Sequence, residues 1–209
     1  MFKDRFDAGK QLVQRLLLFR QAPNTTILAV PCGGIVIGYE LARELSIPLD
    51  VILSKKIGYP GNPDYTIGVV SLDNVIVDKR VLEFSGDMEE YLKTEISKLR
   101  QALREEALFY RGQRMPQVIE NKTIILVDDG ISTGKNMEIT IDLLKKMNPQ
   151  KIVIATPVAS KEALQLIKRK ADEVVCLLVP ELFITKSHWY SQYDTIDKDQ
   201  VVQLLEVNY

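Results

Sequence analysis

An apolar strand-like run that ends in two adjacent acids and a glycine-bounded loop constrains this chain most. Residues 124–127 are followed by Asp128 and Asp129, by the loop 130–134, and by an amphipathic helical pattern that starts near Lys135. Glycines allow positive φ and a close approach of backbone to ligand. The loop opens onto a helix N-terminus, where unpaired N–H groups favour an anion. This order predicts a βα unit with a site for a sugar phosphate. The carboxylates suit the sugar hydroxyls or a hard cation.

Other interpretations of this segment compete. A Walker A motif needs four residues between its first glycine and its Gly-Lys pair, whereas Gly130 and Gly134 enclose only three residues, Ile131, Ser132 and Thr133. The dinucleotide fingerprint G-x-G-x-x-G is absent. An isolated turn of glycine, serine and threonine is typical of many α/β proteins without any ligand there. The acidic pair directly before the loop favours a binding site.

Composition restricts the class of protein. A length of 209 residues suits one domain, and a hydrophobic fraction of 46% is enough for a sizeable core. The 27 basic and 28 acidic side chains give a net charge of −1, so charge offers no reason to expect nucleic acid or a membrane as partner. The charged, amphipathic start does not resemble a signal peptide. We therefore expect a cytoplasmic protein whose two cysteines, Cys32 and Cys176, are buried thiols.

Strands alternate with helices through most of the chain. Strands are predicted at residues 27–30, 51–53, 67–71, 75–78, 124–127, 152–155 and 174–179. Helices are predicted at 4–20, 35–45, 87–111, from about 135, at 160–170 and at 199–205, and the Gly-, Pro- and Asn-rich residues 57–65 are predicted to be irregular. This alternation predicts an α/β fold with a mainly parallel sheet flanked by helices. Ligands of such sheets bind at strand carboxyl ends, so the Pro31–Gly34 turn is expected to meet the acid pair there.

The segment Asp128–Gly134 resembles the phosphoribosyl-pyrophosphate (PRPP) motif of the type I phosphoribosyltransferases, in which about four apolar residues precede two acids and a Gly/Ser/Thr-rich loop. Lys56 to Pro63 is also similar to the basic-x-G-x-P-G-N-P stretch of a bacterial subgroup of that family, and this likeness spans most of the chain. The resemblance implies the type I phosphoribosyltransferase fold. It further implies a single domain over residues 1–209, to which residues 180–209 contribute a small C-terminal hood.

The same resemblance implies an activity and a site. The reaction would move 5-phosphoribose from PRPP to a nitrogenous base and release pyrophosphate, with Mg²⁺ as cofactor, in nucleotide metabolism. The partners would be PRPP and a small-molecule base, in a possible homodimer. Asp128 and Asp129 would be catalytic and hold the ribose hydroxyls directly or through Mg²⁺ and water. The 5′-phosphate would lie on Gly130, Ile131, Ser132, Thr133 and Gly134, and the pyrophosphate on Cys32, Gly33, Gly34, Lys55 and Lys56.

Several of these residues have simpler interpretations. The segment 31–34 also suits a tight strand-to-helix turn, and Lys55-Lys56 a solvated basic pair. Lys55 stands where the family often has arginine, and lysine in its place keeps the charge but loses bidentate contact. Ser132 stands where the 6-oxopurine enzymes of the family have an aspartate base. Because a serine hydroxyl has far too high a pKa for that role, hypoxanthine and guanine are disfavoured as acceptors.

The loop around residues 58–68 resembles a mobile segment that closes over the ligands, although an ordinary surface loop has the same composition. The aromatic tail, with Phe183, His188, Trp189, Tyr190 and Tyr193, suits either stacking on a base or a small satellite core, and the core is favoured. Two rival functions remain. One is a non-catalytic PRPP or nucleotide sensor on the same fold. The other is a phosphohydrolase with an aspartate nucleophile, against which the expected Asp-x-Asp after a strand is absent.

Overall fold

The computed structural model describes residues 1–82 and 88–206, which form eight strands and seven helices. The strands are β1 (Thr25–Ala29), β2 (Leu49–Val51), β3 (Lys55–Tyr59), β4 (Asn62–Val70), β5 (Val75–Val77), β6 (Thr123–Val127), β7 (Lys151–Val158) and β8 (Glu173–Leu178). The helices are α1 (Arg5–Val13), α2 (Gly33–Leu45), α3 (Lys79–Leu82), α4 (Met88–Arg111), α5 (Lys135–Lys145), α6 (Lys161–Lys168) and α7 (Lys198–Glu206). The chain divides into two compact units, Met1–Ile52 with Arg114–Tyr209, and Leu53–Gln113.

The first unit is built on a five-stranded parallel sheet in the order β2-β1-β6-β7-β8. In its registers, Ala29 of β1 lies opposite Val127 of β6, and Val127 lies opposite Ala155 of β7. All five residues of β1 are buried, as expected for a central strand covered on both faces. The predicted parallel sheet of an α/β fold is confirmed.

Successive side chains of a strand point to opposite faces of the sheet, so the buried residues of β1 pack against helices on both faces. Leu28 belongs to the core cluster that α5 and α6 complete with Met137, Ile141, Leu144, Ala163 and Ile167. Its neighbours Ile27 and Ala29 face α2 instead, and a Cβ at Gly38 of that helix would lie 3.2 Å from the Ala29 Cβ. Gly38 therefore lets α2 pack closely on the sheet.

The sequence prediction for the first helix was wrong in extent. The first helix ends at Val13 rather than residue 20, and a short 3-10 turn covers Leu17–Phe19. Phe6 and Leu17 are 41% and 44% exposed. The last strand, β8, is only half-buried, since it lies at the edge of the sheet.

The second unit contains an antiparallel sheet in the order β3-β4-β5, together with α3 and α4. Residues 57–65 were predicted to be irregular, and this was wrong because β3 and β4 form a hairpin across them, with Tyr59 opposite Asn62. The start predicted for the long helix, Asp87, lies outside the described residues, and α4 runs from Met88 to Arg111. None of the helices in the described segments has both the length and the apolar character needed to cross a bilayer.

Candidate active site

The Pro31–Gly34 turn and the acid pair meet at the carboxyl end of the parallel sheet. The Pro31–Gly34 turn follows β1, the acid pair follows β6, and these strands are parallel neighbours. The Val30 N–H donates to the Val127 carbonyl at 2.9 Å, which holds the two strand ends together. Because the chain leaves β1 for β2 on one side and reaches β6 on the other, this edge is a topological switch point, where ligands bind in open α/β sheets. A cavity of about 390 Å³ lies there, lined among others by Cys32, Gly33 and both acids.

Two glycines make the close approach of α2 to the acid pair possible. A Cβ at Gly33 would lie 1.9 Å from Asp129 Oδ2, and one at Gly34 would lie 2.7 Å from the Val127 carbonyl oxygen. Cys32, just before them, has φ +70°, a conformation that costs a non-glycine residue about 1–3 kcal/mol. Its side chain is exposed, so the expected burial of this thiol was wrong. The turn is tight and presents the start of α2 to the cavity.

Asp129 is held by three donors and is 4% exposed at its side chain. Arg5 Nε and the Tyr193 hydroxyl donate to its Oδ2, both at 2.9 Å, and Lys186 Nζ donates to its Oδ1 at 2.9 Å. The Tyr190 hydroxyl donates to its backbone carbonyl. Burial alone raises the pKa of this carboxyl, but Lys186 and Arg5 outweigh burial and hold the pKa below its usual value. Asp129 is therefore a fixed, ionised anchor.

Asp128 has fewer partners. Its Oδ1 accepts the Asp129 N–H at 2.8 Å, and its Oδ2 accepts from Lys186 Nζ at 3.0 Å. Burial raises its pKa to about 7, against the opposing charge of Lys186. The two acids thus differ: Asp129 is saturated by the protein, while Asp128 retains acceptor capacity toward the cavity.

The raised pKa of Asp128 predicts that the free energy of unfolding depends on pH. Between about pH 4 and pH 7 the folded protein binds more protons at this group than the unfolded chain, so the free energy of unfolding falls as pH rises through that window. Asp128→Asn removes the titrating group. We expect the stability of this variant relative to wild type to be higher at pH 8 than at pH 5, measured by urea unfolding at both values. An advantage that is larger at pH 5 would contradict the prediction.

The loop predicted to bind the 5′-phosphate divides into buried and exposed parts. Ile131 is buried, and its N–H donates to the Val158 carbonyl at 2.9 Å, which removes this amide from the predicted phosphate donors. Ser132 and Thr133 are exposed. Gly134 has φ +76° and is the N-cap residue of α5, where no side chain caps the helix. The exposed hydroxyls and the first-turn amides of α5 are suitable groups for an anion.

Lys55 and Lys56 belong to the second unit, where they begin β3 rather than end the second strand. Lys55 forms an ion pair with Glu106 of α4, with Nζ and Oε2 3.0 Å apart. Their assignment to pyrophosphate stays a prediction, as does closure of the 58–68 segment over a ligand.

Arg5 and Lys186, which no sequence pattern indicated, also lie at the site. Arg5 lies on the first helix with its guanidinium 3.8 Å from the centroid of the Tyr193 ring, and it is 7% exposed. The tail reaches the same place, since the Tyr190 hydroxyl donates to the Asp129 carbonyl, and the ring centroids of Phe2 and Tyr190 are 5.5 Å apart. This packing supports the satellite-core interpretation of the tail. A buried arginine on an amphipathic helix carries no spacing signal that links it to a distant acid.

The two carboxylates at the site suit a magnesium ion that also binds phosphate oxygens of a ligand. Among residues 1–82 and 88–206 there is no group of three or more His, Cys, Asp or Glu side chains suited to hold a metal. Mg²⁺ in phosphate-binding sites is usually held by one or two carboxylates together with substrate oxygens and water. The acid pair matches that limited donor set, with Asp128 the less occupied of the two.

A family model described as a phosphoribosyl transferase domain matches residues 5–192 of this sequence. The chain belongs to the phosphoribosyl transferase family. The matched range contains the acid pair, the loop of residues 130–134, the Pro31–Gly34 turn, and the tail residues Lys186 and Tyr190.

Relatives agree with this assignment. Rv0571c and MT0597 of Mycobacterium tuberculosis, each named a phosphoribosyl transferase, are 32% identical over 209 residues, an alignment that covers 99% of this chain and 46% of theirs. The chain thus spans about half the length of these curated relatives. The crystal structure of TT1426 from Thermus thermophilus is similar in fold, with a TM-score of 0.84, 33% identity, and coverage of 98% of this chain and 97% of that one.

Proposed function

We propose that this protein transfers 5-phosphoribose from PRPP to a nitrogenous base and releases pyrophosphate. The observation that carries the proposal is the meeting of an acid pair, an open helix N-terminus and a second glycine turn at one switch point of a parallel sheet. The acid pair suits sugar hydroxyls, and the helix N-terminus and the glycine turn suit phosphates. Such a combination matches a ligand with a ribose between two phosphate groups.

Each part of the site has a role in the proposed reaction. Asp128 accepts hydrogen bonds from the ribose hydroxyls, while Asp129 fixes the position of its neighbour. Ser132, Thr133 and the first turn of α5 hold the 5′-phosphate. The turn that contains Gly33 and Gly34 holds the pyrophosphate through backbone N–H groups. Cleavage at ribose C1 develops positive charge on the sugar and negative charge on pyrophosphate, so orientation and charge stabilisation matter more than a strong base. Mg²⁺, when bound, supplies positive charge that helps the pyrophosphate leave.

Titration of PRPP by calorimetry, with and without Mg²⁺, tests the proposal. We expect Mg²⁺-dependent binding by the wild type and a loss of at least about tenfold in Asp128→Asn, since one charge-assisted contact to the ribose contributes about 1.5–3 kcal/mol. Asp199→Asn is the matched control, because this acid is exposed on α7 and is not among the residues that line the cavity. Asp128→Asn that binds PRPP as well as the control would contradict the assigned role.

A sensor on the same fold is the second candidate. Lys186 forms ion pairs with both acids, an arrangement compatible with a site that binds without turnover. A panel of bases with detection of released pyrophosphate separates the two functions. Turnover with any base supports the transferase, and tight PRPP binding without turnover across the panel supports the sensor.

A further inference from the structure

Lys186 lies directly on the acid pair. Its Nζ is 3.0 Å from Asp128 Oδ2 and 2.9 Å from Asp129 Oδ1, so one ammonium group bridges the two carboxylates. Lys186 comes from the tail, immediately before the 3-10 turn Ser187–Trp189. All three side chains line the same cavity. The group that faces a ligand at this site is therefore an ion pair rather than two open acids.

The stem of Lys186 also covers the beginning of the phosphate loop. A Cβ placed on Gly130 would lie 3.2 Å from Lys186 Cγ, so the lysine chain crosses over Gly130 before reaching the acids. One side chain thus occupies the approach to both elements that the proposed function assigns to ribose and 5′-phosphate. A ligand that contacts Asp128 and this loop together meets Lys186 first.

The rest of the tail is anchored independently of this lysine. The Tyr190 hydroxyl donates to the Asp129 carbonyl, and Phe2 pairs with Tyr190 in an isolated β-bridge. Before Lys186, by contrast, Leu182 and Ile184 are 72% and 57% exposed. Lys186 can therefore leave the acids by rotation of its own side chain while the residues after it stay in place.

We propose that Lys186 is an internal counter-ion that competes with the ligand for the acid pair, so that PRPP with Mg²⁺ binds only after the ammonium has left. This inference rests on the proposed function. The ammonium lies within ion-pair distance of both carboxylates and weakens the repulsion between them in a low-dielectric site. A divalent cation bound together with pyrophosphate would supply positive charge in place of the ammonium.

Lys186→Met tests the competition, because methionine keeps most of the stem and removes the charge. We expect PRPP with Mg²⁺ to bind at least about fivefold more tightly to Lys186→Met than to wild type, the lower end of ordinary coupling between competing states. Lys145→Met, an exposed lysine in the last turn of α5, is the matched control and should bind like wild type. Weaker or unchanged binding by Lys186→Met would overturn the inference and leave the proposed function intact.

A second measurement uses Mg²⁺ alone and does not depend on PRPP. We expect millimolar Mg²⁺ to raise the melting temperature of Lys186→Met more than those of wild type and Lys145→Met, since only the first exposes an uncompensated Asp128. Lys186→Gln is measured in parallel in case the methionine variant does not fold. Equal Mg²⁺ effects in all variants would overturn the competition. Absence of PRPP binding in every variant, with the Mg²⁺ difference present, would instead remove the proposed function.

Discussion

Asp129→Asn is expected to lower the free energy of unfolding by about 3 kcal/mol, the cost of leaving a buried charge without its partner. Arg5 is 7% exposed and donates to this carboxylate, and it also donates to the Asp194 carbonyl. An amide that replaces the carboxylate cannot neutralise the guanidinium, and it cannot accept equally well from Arg5, Lys186 and Tyr193. The anchor between the first helix and the tail is lost.

Urea unfolding at pH 7 measures this effect, with Asp199→Asn as the exposed control of equal charge change. A loss below about 0.5 kcal/mol, which is usual for surface substitutions, would contradict the anchoring role. The result also decides how ligand binding is tested. If Asp129→Asn loosens the fold, loss of PRPP binding in that variant says nothing about contact, and Asp128→Asn is the variant to use.

Gly33→Ala is also expected to have a large effect. We expect it to lower the free energy of unfolding by about 2 kcal/mol, within the range for overpacking a filled site. The added methyl group would lie 1.9 Å from Asp129 Oδ2 and 2.4 Å from its Cγ. An aspartate side chain is usually able to rotate away. Here Arg5, Lys186 and Tyr193 hold the carboxylate, so either these bonds break or the start of α2 shifts. Either change displaces the turn that faces the cavity.

Gly130→Ala is the matched control, since it adds the same methyl group at the same edge of the sheet. Its nearest neighbours are Lys186 Cγ and Val158 Cγ1, both at 3.2 Å, and the lysine stem is flexible. We expect its loss of stability to stay below about 1 kcal/mol, as for a minor repacking. Thermal melts of the two variants provide the comparison. A Gly33→Ala protein as stable as Gly130→Ala would show that Asp129 is free to move.

Local patterns in the sequence predicted the parts of the site that depend on neighbouring residues. The apolar run, the acids, the glycines and the helix that begins at Lys135 all lie within one short stretch. Their spacing alone determines a strand, a turn and a helix. The alternation of strands and helices predicted a parallel sheet with both motifs at strand carboxyl ends, and the pairing of β1 with β6 brings the Pro31–Gly34 turn to the acids.

Composition led to a wrong prediction at residues 57–65. Proline, glycine and asparagine are frequent in irregular segments, but they are also the residues that a tight turn between two strands requires. Pro60 and Gly61 lie between the paired residues Tyr59 and Asn62, and Gly61 has φ +78°. Proline followed by a glycine of positive φ is the pattern of a type II turn. The same residues thus specify a hairpin once strands flank them.

The partners of Asp129 were not predictable because no local pattern encodes them. Arg5 is 124 positions away, and Tyr193 and Lys186 are 64 and 57 positions away. A buried ion pair between such distant segments depends on the finished packing of α1 and the tail. The aromatic residues of the tail gave a weak signal, since a small cluster of rings predicts a satellite core without saying what it encloses.

The bond from Arg5 to the Asp194 carbonyl has a consequence for how the chain acquires its structure. It joins residues 189 positions apart, so the arginine leaves the ribosome long before its partner does. Contacts of such separation close long loops and form late in folding. The strands of the parallel sheet all precede residue 179 and can pair on a growing chain. The acid pair, by contrast, acquires its final surroundings only after residue 194 has been synthesised and released from the exit tunnel.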